Sequence, residues 1–395
     1  MTAGAVLLAP GAGLAEGPAG AIDAVVRAYH DAGQLQGVVL VERGGEVLYR
    51  QGFGVADEAW CTPNRPETRF QIGSITKQLS AALVARLAEE GRVDLDAPVR
   101  RYLPDLTATV GDGVTLHRLL THTAGIADPG PEETMALLAG PLPAAEIVGR
   151  FCSGSALEPG TGFAYSNCGY LLAGAVVETI VGQPVREALE GFLADVGLAE
   201  TGFTDRGAPL PRLAEGYLFH AGRWGTMPTI NWSNAVASGS LYSTVDDLLR
   251  WRRALAAGEV LGPAMLERSL TPVGPGYAYG TWVGWGSAGQ IDALLAERDE
   301  PVEPEARQLR LAVHGGGLPG FQSILVQRLD EPATVAVLDN HQIAGAAEHR
   351  RLAHLAADLV RLLVGEQPQG PQPAYGPAEF PPDALDALPA CPGVR

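Results

Sequence analysis

Lysine is almost missing from this chain. Of its 28 basic residues, 27 are arginine and one is lysine, Lys77. Positive charge is scarce overall: 28 Lys and Arg face 45 Asp and Glu across 395 residues, giving a net charge of −17. Such an acidic surface repels phosphate backbones and anionic lipid, which argues against nucleic acid and membrane surfaces as partners. No apolar run reaches the ~18–20 residues that a membrane-spanning helix needs. The start, MTAGAVLLAPGAGLAEG, has no basic segment, and its apolar stretch at 5–9 is too short for a signal peptide. With Met1 as the natural start, the expected compartment is the cytoplasm. Cysteine is scarce too. Cys61, Cys152, Cys168 and Cys391 form no CxxC pair, and without an export signal they are expected to be thiols with no shared role rather than a disulfide framework. The eight histidines form no HExxH or HxH cluster, so neither a metal nor another cofactor is expected.

Much else is plentiful. Apolar residues make up 46% and charged residues 18%, with 50 glycines and 30 prolines. That composition excludes wholesale disorder and supports a large core. Abundant Ala, Gly, Pro and Arg accompany GC-rich codons, under which Lys drifts to Arg wherever Arg will serve. Arg cannot lose a proton in a protein, whereas Lys can act as a base once its pKa falls. The surviving Lys77 therefore marks a place where Arg may not serve.

Residues 37–54 (GVVLVERGGEVLYRQGFG) predict a hairpin about Gly44-Gly45. Residues 74–91 predict a helix stopped by Gly91. Helical pieces broken by Gly/Pro loops fill 95–200, clearest at 171–180 and 185–193. A helix capped near Ser243-Thr244 follows. Strand patterns return at 277–285, 308–314, 322–328 and 334–338, and a last helix is expected at 344–363. Strands at both ends around a helical block predict an α+β fold with two lobes. Residues 20–94 and 201–365 would form the lobe carrying an antiparallel sheet, and 95–200 an inserted all-helical lobe. Residues 366–395 hold eight prolines and predict an extended tail, docked or mobile.

Three motifs carry chemistry. In Gly73-Ser74-Ile75-Thr76-Lys77, Ser74 and Lys77 stand three residues apart at a helix start and share one face. A serine hydroxyl is inert without a base, and a desolvated lysine supplies one. The helix N-terminus offers N–H groups to a developing oxyanion. In Tyr165-Ser166-Asn167, the phenol is a candidate proton relay and the amide a candidate ligand for a carbonyl or for Lys77. In His314-Gly315-Gly316-Gly317, the glycines let backbone approach a ligand. There Gly317 N–H is a candidate oxyanion donor, and His314 a candidate to orient a substrate carboxylate or support Tyr165. Trp224, Trp232, Tyr277 and Trp285 are candidates to line a pocket.

SxxK, YxN and HGG in this order resemble the serine β-lactamase and penicillin-binding-protein superfamily, specifically the branch with class C β-lactamases, D-aminopeptidases, D,D-carboxypeptidases and esterases. The stretches at 70–77, 95–99, 119–126 and 243–248 match as well. The resemblance covers about residues 20–365. It implies a β-lactamase/transpeptidase-like fold, an antiparallel sheet flanked by helices. It implies that Ser74 is acylated, that Lys77 and Tyr165 handle its proton, and that Asn167 contacts substrate or Lys77. The N–H groups of Ser74 and Gly317 would form the oxyanion hole. The stretch around His122 is expected to be structural. His314 stands where class C β-lactamases carry lysine, which argues against efficient β-lactam hydrolysis. The expected substrate is a small acyl compound, an ester or amide, with water as acceptor. An acyltransferase in natural-product assembly, or an inactive scaffold, are the alternatives; intact Ser74, Lys77 and Tyr165 argue against the scaffold.

Overall fold

The computed structural model describes residues 17–104, 113–137, 139–152, 154–204, 209–220, 223–226, 232–288, 291, 309–343, 350–372 and 391. Its hairpin turns at Gly44-Gly45 between the strands Gly37–Arg43 and Glu46–Gly52. These join a six-stranded antiparallel sheet in the order Trp282–Gly286, Leu309–Leu318, Phe321–Arg328, Ala333–Asp339, Gly37–Arg43, Glu46–Gly52. The two ends of the chain meet in the middle of it, where Val38 pairs with Leu338 and Leu40 with Ala336.

Successive side chains of a strand point to opposite faces, so this sheet divides its residues between two cores. Val39, Val41, Ile324, Val326, Val335 and Val337 pack with Ile22 and Val26 of the helix Gly17–Asp31 and Leu352 and Leu355 of the helix Arg350–Leu363. Val38, Leu40, Leu325, Ala336 and Leu338 face the other way, into a larger core with Leu79 and Leu83 of the helix Thr76–Glu89. Burial on both faces explains why residues 38–41 (VVLV) form a continuous apolar run rather than an alternating one. Helices Leu116–Leu120, Pro131–Leu137, Ala144–Phe151, Asn167–Val181 and Val185–Val196 come between the hairpin and the later strands. The architecture is the α+β fold that the sequence implied.

Several boundaries move. The strand expected to stop at His314 runs on to Leu318, because Gly315, Gly316 and Gly317 pair with Ile324, Ser323 and Gln322. The strand expected from 277 begins at Trp282; Tyr277 bridges both Val273 and Trp282 in a tight loop through Gly276 and Gly280. The last helix starts at Arg350, and 344–349 lie outside the described residues.

The cysteine expectation is overturned. Cys61 bonds Cys391 and Cys152 bonds Cys168, leaving no free thiol. Separations of 330 and 16 residues make no recognisable pattern; the fold brings the Cα atoms to 5.3 and 5.2 Å. The tail docks where it is described. Gln369 N and Gly370 N donate to the buried carboxylate of Asp358, and Tyr29 Oη donates to the Gly370 carbonyl. No single helix among the described residues is long and apolar enough to cross a membrane.

Candidate active site

The short strand Phe70–Gln71 pairs with Leu241–Ser243, and Ile72 N donates to the Leu241 carbonyl at 2.9 Å. The chain then turns at Gly73 (φ 51°) into the 3-10 turn Gly73–Ile75 and the helix Thr76–Glu89. Ser74 is not spent as a helix cap: the cap positions are Ile72 and Ile75. The glycine strand lies directly against this turn. A Cβ on Gly73 would come within 2.8 Å of Gly317 N, and one on Gly316 would meet the Ile72 carbonyl oxygen at 2.0 Å. Ser323 Oγ donates to that same carbonyl at 2.9 Å and ties the sheet to the turn. Only residues without side chains allow this approach. It brings the N–H of Gly317 beside the nucleophile turn.

Lys77 is completely buried, with 0% of its surface exposed, while Ser74 is half-buried. Its Nζ donates to Ser74 Oγ at 3.0 Å, to Asn167 Oδ1 at 2.8 Å and to the Ser238 carbonyl at 2.7 Å. Three donors thus meet three acceptors. Burial pushes the ammonium pKa down from 10.5 to about 7, against the pull of the Asp128 carboxylate. A neutral amine keeps two N–H groups for Asn167 and Ser238, and turns its lone pair toward Ser74. The rings of Tyr165 and Tyr170 flank the amine, their centroids 5.0 and 5.5 Å from Nζ.

Asn167 opens the helix Asn167–Val181, and Ser166 caps it, its Oγ accepting from Gly169 N. His122, buried at φ 57°, lies against Tyr165 with ring centroids 4.1 Å apart. Its Nδ1 accepts from Ser166 N at 3.1 Å, so the ring is neutral with its proton on Nε2. Burial and the nearby Lys77 hold its pKa well below the ordinary value. His314 is buried behind the site: Nε2 lies 2.9 Å from Tyr277 Oη, and Nδ1 donates to the Gly315 carbonyl at 2.5 Å. Its ring centroid is 6.4 Å from that of Tyr165.

Ser74, Lys77, Tyr165, Asn167 and the glycine strand therefore converge from three distant parts of the chain. Of the aromatic candidates, Tyr277 reaches the site, buried against His122, Tyr165 and His314; Trp224 packs instead on Phe219 and His341, and Trp285 is 55% exposed on the outermost strand. Trp232 opens the turn Trp232–Ala235, which leads to Ser238. Two groups at the site were missed: the Ser238 carbonyl, and Asp128, which accepts from Ser166 Oγ, Asn167 N, Asn167 Nδ2 and Cys168 N at 2.9–3.0 Å. Asp128 stands two residues beyond the matched stretch at 119–126, and nothing in its neighbours marks it.

Known proteins resemble this chain over most of its length. A family model described as Beta-lactamase matches residues 22–358. The esterase EstB of Burkholderia gladioli is 31% identical over 322 residues, 72% of this chain and 80% of that protein. The D-aminopeptidase of Cereibacter sphaeroides is 25% identical, covering 89% of this chain and 64% of its own length. Among solved structures, D-amino acid amidase from Ochrobactrum anthropi superposes with a TM-score of 0.71 at 25% identity, over 88% of this chain and 99% of that one. With this fold, these motifs and these relatives, the chain belongs to the β-lactamase family, within a superfamily of serine hydrolases.

Proposed function

We propose that this protein cleaves a small ester or amide through an acyl-enzyme on Ser74. Neutral Lys77 takes the proton of Ser74 Oγ as that oxygen bonds to the substrate carbonyl carbon. The carbonyl electron pair moves to oxygen, between the N–H groups of Ser74 and Gly317; one such donor is worth about 2.7–4 kcal/mol of barrier. Tyr165 passes a proton to the departing alcohol or amine. Water then attacks the acyl carbon and gives its proton to the Tyr165 phenolate, and Lys77 returns its proton to Ser74 Oγ as the acyl–oxygen bond breaks and the acid leaves. One observation carries the reading: a fully buried amine, lowered to about 7, 3.0 Å from a hydroxyl that caps no helix.

The names of the relatives, an esterase, a D-aminopeptidase and a D-amino acid amidase, support ester or amide bonds as the target. With His314 bonded to Tyr277 and Gly315, no fixed cation stands at that position to hold a β-lactam carboxylate, which favours simpler acyl compounds. The compartment is a separate question. A cytoplasmic setting keeps thiols reduced, whereas the two disulfides need an oxidising one. Counting free thiols in protein taken directly from its cells decides between them.

The test is intact mass spectrometry after incubation with nitrophenyl esters, D-aminoacyl amides and nitrocefin, each with and without an added amine. The wild type should gain the mass of the acyl group and lose it in water, while Ser74→Ala gains nothing. Decay that requires the amine would reassign the protein as an acyltransferase. Labelling of Ser74→Ala at the wild-type rate would remove the nucleophile.

A further inference from the structure

We propose that Asp128 is a positioning residue of the active site, whose carboxylate decides which end of the Asn167 amide meets Lys77; the role rests on Lys77 being the base. Asp128 lies 39 residues before Asn167 in sequence, yet its two oxygens hold the whole entry to the helix Asn167–Val181. Oδ1 accepts from Ser166 Oγ and Cys168 N, and Oδ2 from Asn167 N and Asn167 Nδ2. A carboxylate can only accept, and an ammonium can only donate. The amide between them therefore has one allowed orientation. Nδ2 faces Asp128 and Oδ1 faces Lys77 Nζ, 2.8 Å away. The reverse orientation would set NH2 against ammonium and carbonyl against carboxylate. The chemistry of the two flanking groups fixes this orientation.

Two consequences reach Lys77. Its Nζ is steered by an oxygen whose direction Asp128 sets, so the lone pair of the neutral amine falls on Ser74 Oγ. The negative charge of Asp128 also favours the ammonium form against burial. The Ser238 carbonyl shares the steering but brings no net charge. Tyr165 and Tyr170 present ring faces, and His122 is neutral. His314 bonds Tyr277 and Gly315.

The solitary lysine makes a direct test possible, because protein grown on lysine labelled with 13C at Cε shows a single side-chain signal. In Asp128→Asn the titration midpoint of that signal should move to lower pH by roughly one pH unit. An unchanged midpoint in folded protein overturns the proposal. This readout does not depend on turnover, so it stands even if Ser74 is never acylated. The second measurement is a cycle of Asp128→Asn, Asn167→Ala and the double variant on acyl-enzyme formation. Asp128→Asn should slow acylation about tenfold to a hundredfold, and the double variant should be no slower than Asn167→Ala. Additive effects would mean that Asp128 does not act through Asn167. Absence of acylation in the wild type itself would instead sink the hydrolase reading. If Asp128→Asn fails to fold, Asp128→Glu, which keeps charge but displaces it, should fold, retain the midpoint and still slow acylation; full activity in that variant overturns the proposal.

Discussion

Replacing Lys77 with methionine should remove activity and reshape the dependence of stability on pH. Below pH 7 the folded protein carries a charged amine with no exposure to solvent, and unfolding releases it to water. Between about 7 and 10.5 the folded form binds no proton there, while the unfolded form still does. Unfolding must then take up a proton, so stability rises with pH across this window. Above 10.5 both forms are neutral and the gain is complete. A fall from 10.5 to about 7 corresponds to about 5 kcal/mol. Lys77→Met loses this slope. It also strands the Asn167 and Ser238 oxygens, at about 1–3 kcal/mol each, so its net stability near pH 7 should be close to that of the wild type. Its standing relative to the wild type should then fall by up to about 5 kcal/mol toward pH 10.5. Urea unfolding followed by circular dichroism at a series of pH values measures the difference, in which all other titrating groups cancel. Parallel curves for the two proteins would mean that the ammonium keeps its proton in the fold. Lys77 could not then be the base.

Other expectations are simpler to check. Tyr165→Phe keeps the ring that lies over Lys77 and removes only the hydroxyl; its turnover should fall by about 10²–10⁴-fold with an unchanged melting temperature, and near-normal turnover would take Tyr165 out of the proton path. Joint replacement of Cys152 and Cys168 by serine opens a loop of about 16 residues and should cost about 3 kcal/mol in chemical unfolding. Acylation by the folded variant should hardly change, because Asp128 binds the backbone N–H of residue 168 and not its side chain.

What the sequence disclosed was local or periodic. The hairpin turn, the helix beyond Ser74, the Thr244 cap and the special standing of Lys77 all follow from neighbours within a few positions, or from the chain's codon bias. The order of the three motifs added the fold. What stayed hidden depends on contacts between distant segments. Asp128 and the Ser238 carbonyl meet Asn167 and Lys77 only after the helices have packed, and a backbone carbonyl leaves no mark in a list of side chains. The disulfides escaped for the same reason. His314 was visible as a chemical group but not as a buried one, since its partner Tyr277 sits in a loop that looked like a strand. The strand pattern stopped short of the glycines after it because glycine is poor in isolated strands; only the neighbouring strand and the pressing backbone of Ile72 keep them extended.

The pairing of Gly37–Arg43 with Ala333–Asp339 has a consequence for biosynthesis. A ribosome adding about 5–20 residues per second delivers Leu338 roughly 15–60 s after its partner Val38. For that interval the hairpin stands without its inner neighbour, an apolar strand with an open edge, the kind of surface that invites aggregation. Chaperones that shield nascent chains should therefore matter more to the yield of this protein than its final stability would suggest.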